Sequence, residues 1–228
     1  MTILFVCLEG EVVARLEARG SRVTLEYLEP WLSTPGAYPI SQSLPLRPVP
    51  FTGAAVLNYL WGLLPDNARV LDAWGHLFHV SPRNPVSLLA HVGEDCAGAV
   101  QFALEERLQA VLGSSRSAPA VRWLDEHELV QRIRHLAADA GAAREGAAEG
   151  QFSLSGAQAK TAFFYDPDSD RWGVPHGRTP TTHIFKPAAN DFDGFAENEH
   201  FCLELARRVG DADRGLLSLE ANPNAAFR

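Results

Sequence analysis

Short runs of alternating apolar and polar residues open the chain. Ile3 to Leu8, Glu11 to Leu16 and Arg22 to Leu28 each read as a strand, and Glu9-Gly10 and Arg19-Gly20 supply the turns between them. Pro30, Pro35, Pro39, Pro45, Pro48 and Pro50 then punctuate a stretch expected to hold no helix. From Thr52 the period lengthens. Thr52 is the expected cap of a helix whose Ala55, Val56, Tyr59, Leu60 and Leu63 share one face. Pro65-Asp66-Asn67 breaks that pattern, and a second helix is expected over about 68–80. A third follows Asn84-Pro85 and stops at Gly93-Glu94-Asp95. Ala97 to Leu104 reads as a strand. Asp125 and Glu128 have capping-box spacing ahead of a helix with Leu129, Ile133 and Leu136 as its apolar stripe.

Residues 138–150 are small and polar, without period, and mark a linker. The pattern therefore divides the chain into a first module over 1–137 and a second from residue 151. In the second, Thr161 to Tyr165, Trp172 to Pro175 and Thr181 to Pro187 read as strands, and Ala196 to Val209 as a helix. The fold class expected is α+β: a strand meander packed with helices, then a small lobe of antiparallel strands plus one helix.

Composition narrows the function. Hydrophobic residues are 46% and charged residues 21%, the balance of a soluble globular chain. A net charge of −8 without any Lys/Arg run argues against direct nucleic-acid or anionic-membrane binding. The apolar run at the N-terminus is too short for a membrane span and lacks a basic lead, so a cytoplasmic protein is expected. Cys7, Cys96 and Cys202 are widely spaced, read as small buried apolar residues, and predict neither a disulfide framework nor a zinc site. His76 and His79 share a helical face without a third ligand, so no metal site is expected. His183 reads as a packing residue.

The chemistry concentrates in the second module. Ser155, Gly156, Ala157, Gln158 and Ala159 form a small-residue loop through which backbone N–H groups can approach phosphate oxygens. Lys160 closes that loop, and Lys186 ends the strand that follows. Of 20 basic residues, these two alone are lysine. An ammonium is a compact point charge for which arginine's wide fork does not substitute in a tight pocket. Glu197 and Glu199, on the next helix, are the candidates for holding Lys186 in place. Strand, loop, strand, lysine strand and helix together follow the plan of a kinase small lobe. Asn190-Asp191-Phe192-Asp193-Gly194 looks like a magnesium motif but stands too early in that order, and reads as a solvent-exposed turn.

These segments resemble the HipA family of kinase toxins from bacterial toxin–antitoxin modules, over nearly all of residues 1–210. The resemblance is carried by Tyr38-Pro39-Ile40-Ser41-Gln42-Ser43-Leu44-Pro45-Leu46, Gly62-Leu63-Leu64-Pro65-Asp66 and Gly93-Glu94-Asp95-Cys96-Ala97-Gly98-Ala99-Val100. It continues in Ser153-Leu154-Ser155-Gly156-Ala157-Gln158-Ala159-Lys160-Thr161, Thr182-His183-Ile184-Phe185-Lys186-Pro187 and Glu197-Asn198-Glu199-His200-Phe201-Cys202. It implies ATP with Mg as cofactor, with the Gly156 loop over the nucleotide and Lys186 on its phosphates. Ser153 matches a serine whose autophosphorylation ejects the loop. The partners implied are a HipB-like DNA-binding antitoxin, contacted in part by the first module, and a protein substrate such as an aminoacyl-tRNA synthetase.

The family pattern continues past residue 210 with the adenine-binding hinge, the catalytic-loop aspartate and asparagine, and the magnesium-binding aspartate. None of these has a counterpart in these 228 residues, and residues 211–228 do not align with the pattern. No catalytic residue is therefore assigned. The expectation is a truncated kinase that is inactive alone. The alternative expectation is a non-catalytic module that binds the antitoxin.

Overall fold

In the computed structural model, the described residues are 1–96, 98–113, 120–138, 160–176, 179–187 and 194–209. The opening alternation becomes β1 (Thr2–Leu8), β2 (Glu11–Arg19) and β3 (Arg22–Tyr27), an antiparallel meander. Its first turn needs left-handed backbone at both Glu9 and Gly10, with φ of 52° and 88°. β4 (Phe51–Thr52) pairs with β3 on one edge and β5 (Val100–Ala103) with β1 on the other, giving the order β4-β3-β2-β1-β5. A bulge between Val6 and Cys7 shifts the register of β1 against β2.

Leu4, Val6, Leu16 and Leu25 point from this sheet into the main core, where Val56, Leu60, Trp74, Val86, Leu88 and Leu89 meet them. Those partners come from α2 (Ala54–Gly62), α3 (Ala68–Phe78) and α4 (Pro85–Val92). Asn67 caps α3 and Asn84 caps α4 with their side-chain oxygens, and Pro85 stands at the start of α4 where no N–H is needed. A single 3-10 turn, Gly93–Asp95, then leads toward β5. A Cβ at Gly93 would lie 2.6 Å from Phe102 Cβ, so this close approach requires glycine. On another patch of the sheet, Cys7, Ala103 and Val111 form a small cluster under α5 (Glu105–Gly113). Burial, with the charge of Glu94 beside it, pushes the Cys7 thiol up to about 11.

The second sheet has the antiparallel order β6-β8-β7-β9, built from β6 (Val121–Trp123), β7 (Thr161–Asp166), β8 (Arg171–Pro175) and β9 (His183–Phe185). Leu124, Leu129, Phe163 and Val174 are its buried core, with Ile133, Trp172 and Phe185 packed around them. Leu129 and Ile133 come from α6 (Glu126–Ala138), whose capping box forms as the spacing predicts. Glu128 N–H donates to Asp125 Oδ1 at 2.7 Å, and Asp125 N–H donates to Glu128 Oε2 at 3.0 Å. Asp125→Ala is expected to cost about 1 kcal/mol, as cap removal typically does, visible as a lower urea midpoint at unchanged slope.

Several expectations are corrected. Gly53, with φ of 76°, caps α2, because Thr52 is taken up by β4. The proline stretch begins with one helical turn, α1 (Glu29–Leu32), since Pro30 is tolerated at a first turn. The strand expected over Ala97–Leu104 is the shorter β5, and α5 and β6 have no counterpart in the sequence reading. Cys202 is exposed rather than buried. The strand pairing also divides the chain elsewhere than at residue 137: β6 pairs with β8, and α6 packs on Phe163 and Val174. The sheets therefore part between Gly113 and Ala120. Small-residue composition marks a connection without showing which core the flanking elements join.

Candidate anion site

The site grows from the pairing of β7 with β9. Thr161 faces Phe185, Ala162 faces Ile184 and Phe163 faces His183. Phe163 and Phe185 turn into the second core, their rings 5.1 Å apart and edge to face, and Trp172 meets Phe185 at 5.0 Å. Because side chains alternate along a strand, burying Phe185 sends its neighbours to the opposite face. Ile184, 55% exposed, lies on that face with Lys186. Continuing the register one step places Lys160 across from Lys186, so the only two lysines of the chain oppose each other at one edge.

α7 (Phe195–Arg208) follows, entered through Gly194 in the left-handed region at φ 83°. Glu197 and Glu199 stand two residues apart, about 200° around a helix, so one of them at most can face the strand. Glu199 does: Lys186 Nζ donates to its Oε1. Glu197 is exposed in the first turn. Of the two lysine-holding candidates, the structure selects Glu199.

Lys160 is half-buried. Burial pulls its ammonium below the usual lysine range and the Lys186 charge pulls it further, while Asp66 and Glu199 act in the opposite direction. Asp66 belongs to the corner between α2 and α3 in the first unit, so the site draws on both parts of the chain. Two ammonium groups opposed across a strand pair repel, which is an arrangement suited to holding an anion between them. Ser153, Ser155, Gly156, Ala157, Gln158 and Ala159 lie outside the described residues, as do Asn190 to Asp193. Among the described residues no group of three His, Cys, Asp or Glu side chains could hold a metal ion.

His183 packs as its neighbourhood implied, edge-on to Trp172 and Tyr165 at 5.0 and 5.6 Å, with Nδ1 2.8 Å from Thr182 Oγ1. Burial lowers its pKa below the usual 6.5. A depressed histidine favours the fold while neutral, so its contribution is complete above about pH 6.5 and is lost as pH falls through that range. The second unit is expected to melt progressively lower between about pH 7 and pH 5. His183→Phe, which keeps an aromatic ring, flattens that slope; a parallel decline in both chains would remove His183 as its source.

Glu199, Leu203 and Ala206 form the partly buried stripe of α7. Phe201, Leu205 and Val209 form a second apolar line, 66%, 49% and 76% exposed. No helix among the described residues is long and apolar enough to cross a membrane.

Comparison with known proteins places these features in a lineage. A family model described as HipA N-terminal domain matches residues 4–103, and one described as HipA-like C-terminal domain matches residues 152–214. A curated relative from Sinorhizobium fredii, named "Putative kinase Y4mE", is 31% identical over 210 residues, covering 91% of this chain and 48% of the relative. A chain from the structure of the Shewanella oneidensis MR-1 toxin–antitoxin system HipA, HipB and operator DNA complex superposes with a TM-score of 0.64 at 24% identity. That match covers 91% of this chain and 45% of the other. The chain thus spans about half the length of the relatives it matches.

Proposed function

Because this chain belongs to the HipA family, we propose that it forms the phosphate-gripping part of an ATP-dependent serine/threonine protein kinase of a cytoplasmic toxin–antitoxin module. The observation that carries this reading is the ion pair of Lys186 with Glu199, set beside Lys160 across the strand edge. A lysine held by a helix glutamate next to a sheet edge is how a kinase small lobe fixes a positive charge on nucleotide phosphates.

The residues fit such a ligand. Lys160 and Lys186 would hold its phosphate oxygens, and Glu199 keeps Lys186 turned toward them rather than out into water. The Gly156 loop is assigned to cover the phosphates through its backbone N–H groups, and Ser153 to accept the regulatory phosphoryl group. ATP with Mg supplies the group to be transferred. These 228 residues hold no counterpart of the family's catalytic aspartate or its magnesium-binding aspartate. Positioning without charge neutralisation leaves phosphoryl transfer slow, so this chain alone is proposed to bind without turning over.

The proposed partners are a HipB-like DNA-binding antitoxin and a protein substrate such as an aminoacyl-tRNA synthetase. The first is supported by the complex in which the similar fold was solved. The test of the central reading is calorimetric titration with ATP and Mg of the unaltered chain and of Lys186→Ala. Binding that the variant loses supports the phosphate site. Equal heats from both chains would remove Lys186 from it.

A further inference from the structure

Lys160 and Lys186 repel across the β7–β9 edge, and each is offset by a carboxylate from a different part of the chain. Glu199 bonds Lys186 from α7, within the second unit. The carboxylate acting on Lys160 is Asp66, and it comes from the first unit.

The backbone around Asp66 is fixed. The N–H groups of Leu63 and Leu64 close the end of α2 onto the carbonyls of Leu60 and Trp61 at 3.2 and 3.1 Å. Leu64 and Pro65 are buried, and Asn67 Oδ1 caps α3 by accepting from Arg69 N–H at 3.0 Å. Between a buried proline and a helix cap, Asp66 itself is exposed. Its carboxylate can therefore exchange a lysine for water at little cost, since exposed ion pairs contribute little. Glu199 is tied to its lysine by a charged hydrogen bond within one sheet-and-helix unit.

With both carboxylates engaged, two positive and two negative charges sum to zero, which leaves a polyanion little net attraction. We propose that Asp66 is an affinity-setting counter-charge: it occupies Lys160 while the site is empty and yields it to an incoming phosphate. Phosphate and the first unit then compete for one ammonium, so occupancy of the site loosens a contact between the two parts of the chain. This inference rests on the phosphate reading above.

Two measurements on the whole chain test it. With only two lysines, a spectrum of carbon-13-labelled lysine side chains carries two signals that can be followed separately. Asp66→Asn is expected to move the titration of the Lys160 signal to lower pH and to leave that of Lys186 in place. Inorganic triphosphate should bind Asp66→Asn about two- to fivefold more tightly, the range of one partly exposed charge pair. The gain should vanish in a Lys160→Met background. An unmoved Lys160 signal overturns the pair. Unchanged or weaker triphosphate binding by Asp66→Asn, with Lys186→Ala still deficient, overturns this inference and leaves the phosphate site standing. A gain that persists without Lys160 also overturns it. Triphosphate binding that neither lysine variant weakens, or none by the unaltered chain, overturns the phosphate reading and this inference with it.

Discussion

Phe163→Ala is expected to unfold the second sheet while the first stays folded. Phe163 is 1% exposed and sits at the centre of a core whose other buried members are Leu124, Leu129 and Val174. It also makes the edge-to-face contact that seats Phe185, and with it the strand that carries Lys186. Removing a buried phenylalanine typically costs about 3–5 kcal/mol, a large share of the roughly 5–15 kcal/mol that holds a whole domain together. A core this small has few neighbours to collapse into the gap. The first sheet keeps Leu4, Leu16, Leu25, Leu60, Trp74 and Leu89, none of which touches Phe163's cluster. Hydrogen exchange reads the outcome directly: the amides of β7, β8 and β9 lose protection and those of β1 to β3 retain it. Loss of protection in both sheets together would show that they fold as one cooperative unit.

Lys186→Ala should weaken binding of ATP and Mg by about ten- to a hundredfold, the worth of a hydrogen bond to a charged group. Two effects combine in that loss. The ammonium itself is gone, and Glu199 is left as an uncompensated carboxylate facing the place where phosphate oxygens would lie. Lys186→Arg is expected to recover little. Its planar fork pairs well with the Glu199 carboxylate but spreads the charge away from the strand edge where Lys160 stands opposite. Binding by Lys186→Arg equal to that of the unaltered chain would mean that any cation suffices there. The preference for lysine at 160 and 186 in a chain otherwise using arginine would then need another cause.

The amino-acid sequence by itself determined much of this. Turn chemistry and alternation defined the opening meander, because Glu9-Gly10 and Arg19-Gly20 interrupt runs whose side chains can bury on one face only. Asn84-Pro85 and the Asp125/Glu128 box located two helix starts, since caps are local and act through bonds of two or three residues. The rarity of lysine pointed to 160 and 186 before any neighbour was known.

What the sequence left open turned on contacts distant along the chain. Thr52 lost its capping role to pairing with Thr24, a strand partner that no local pattern reveals. β6 is three residues long, too short to show a period, and exists because Val121, Arg122 and Trp123 find Pro175, Val174 and Gly173. The choice of Glu199 over Glu197 required the direction in which α7 leaves Gly194. The presence of Asp66 near Lys160 required the placement of two units separated by the whole of α3 to α6. Local spacing fixes hydrogen bonds within a turn; only the folded chain decides which distant charges share one edge.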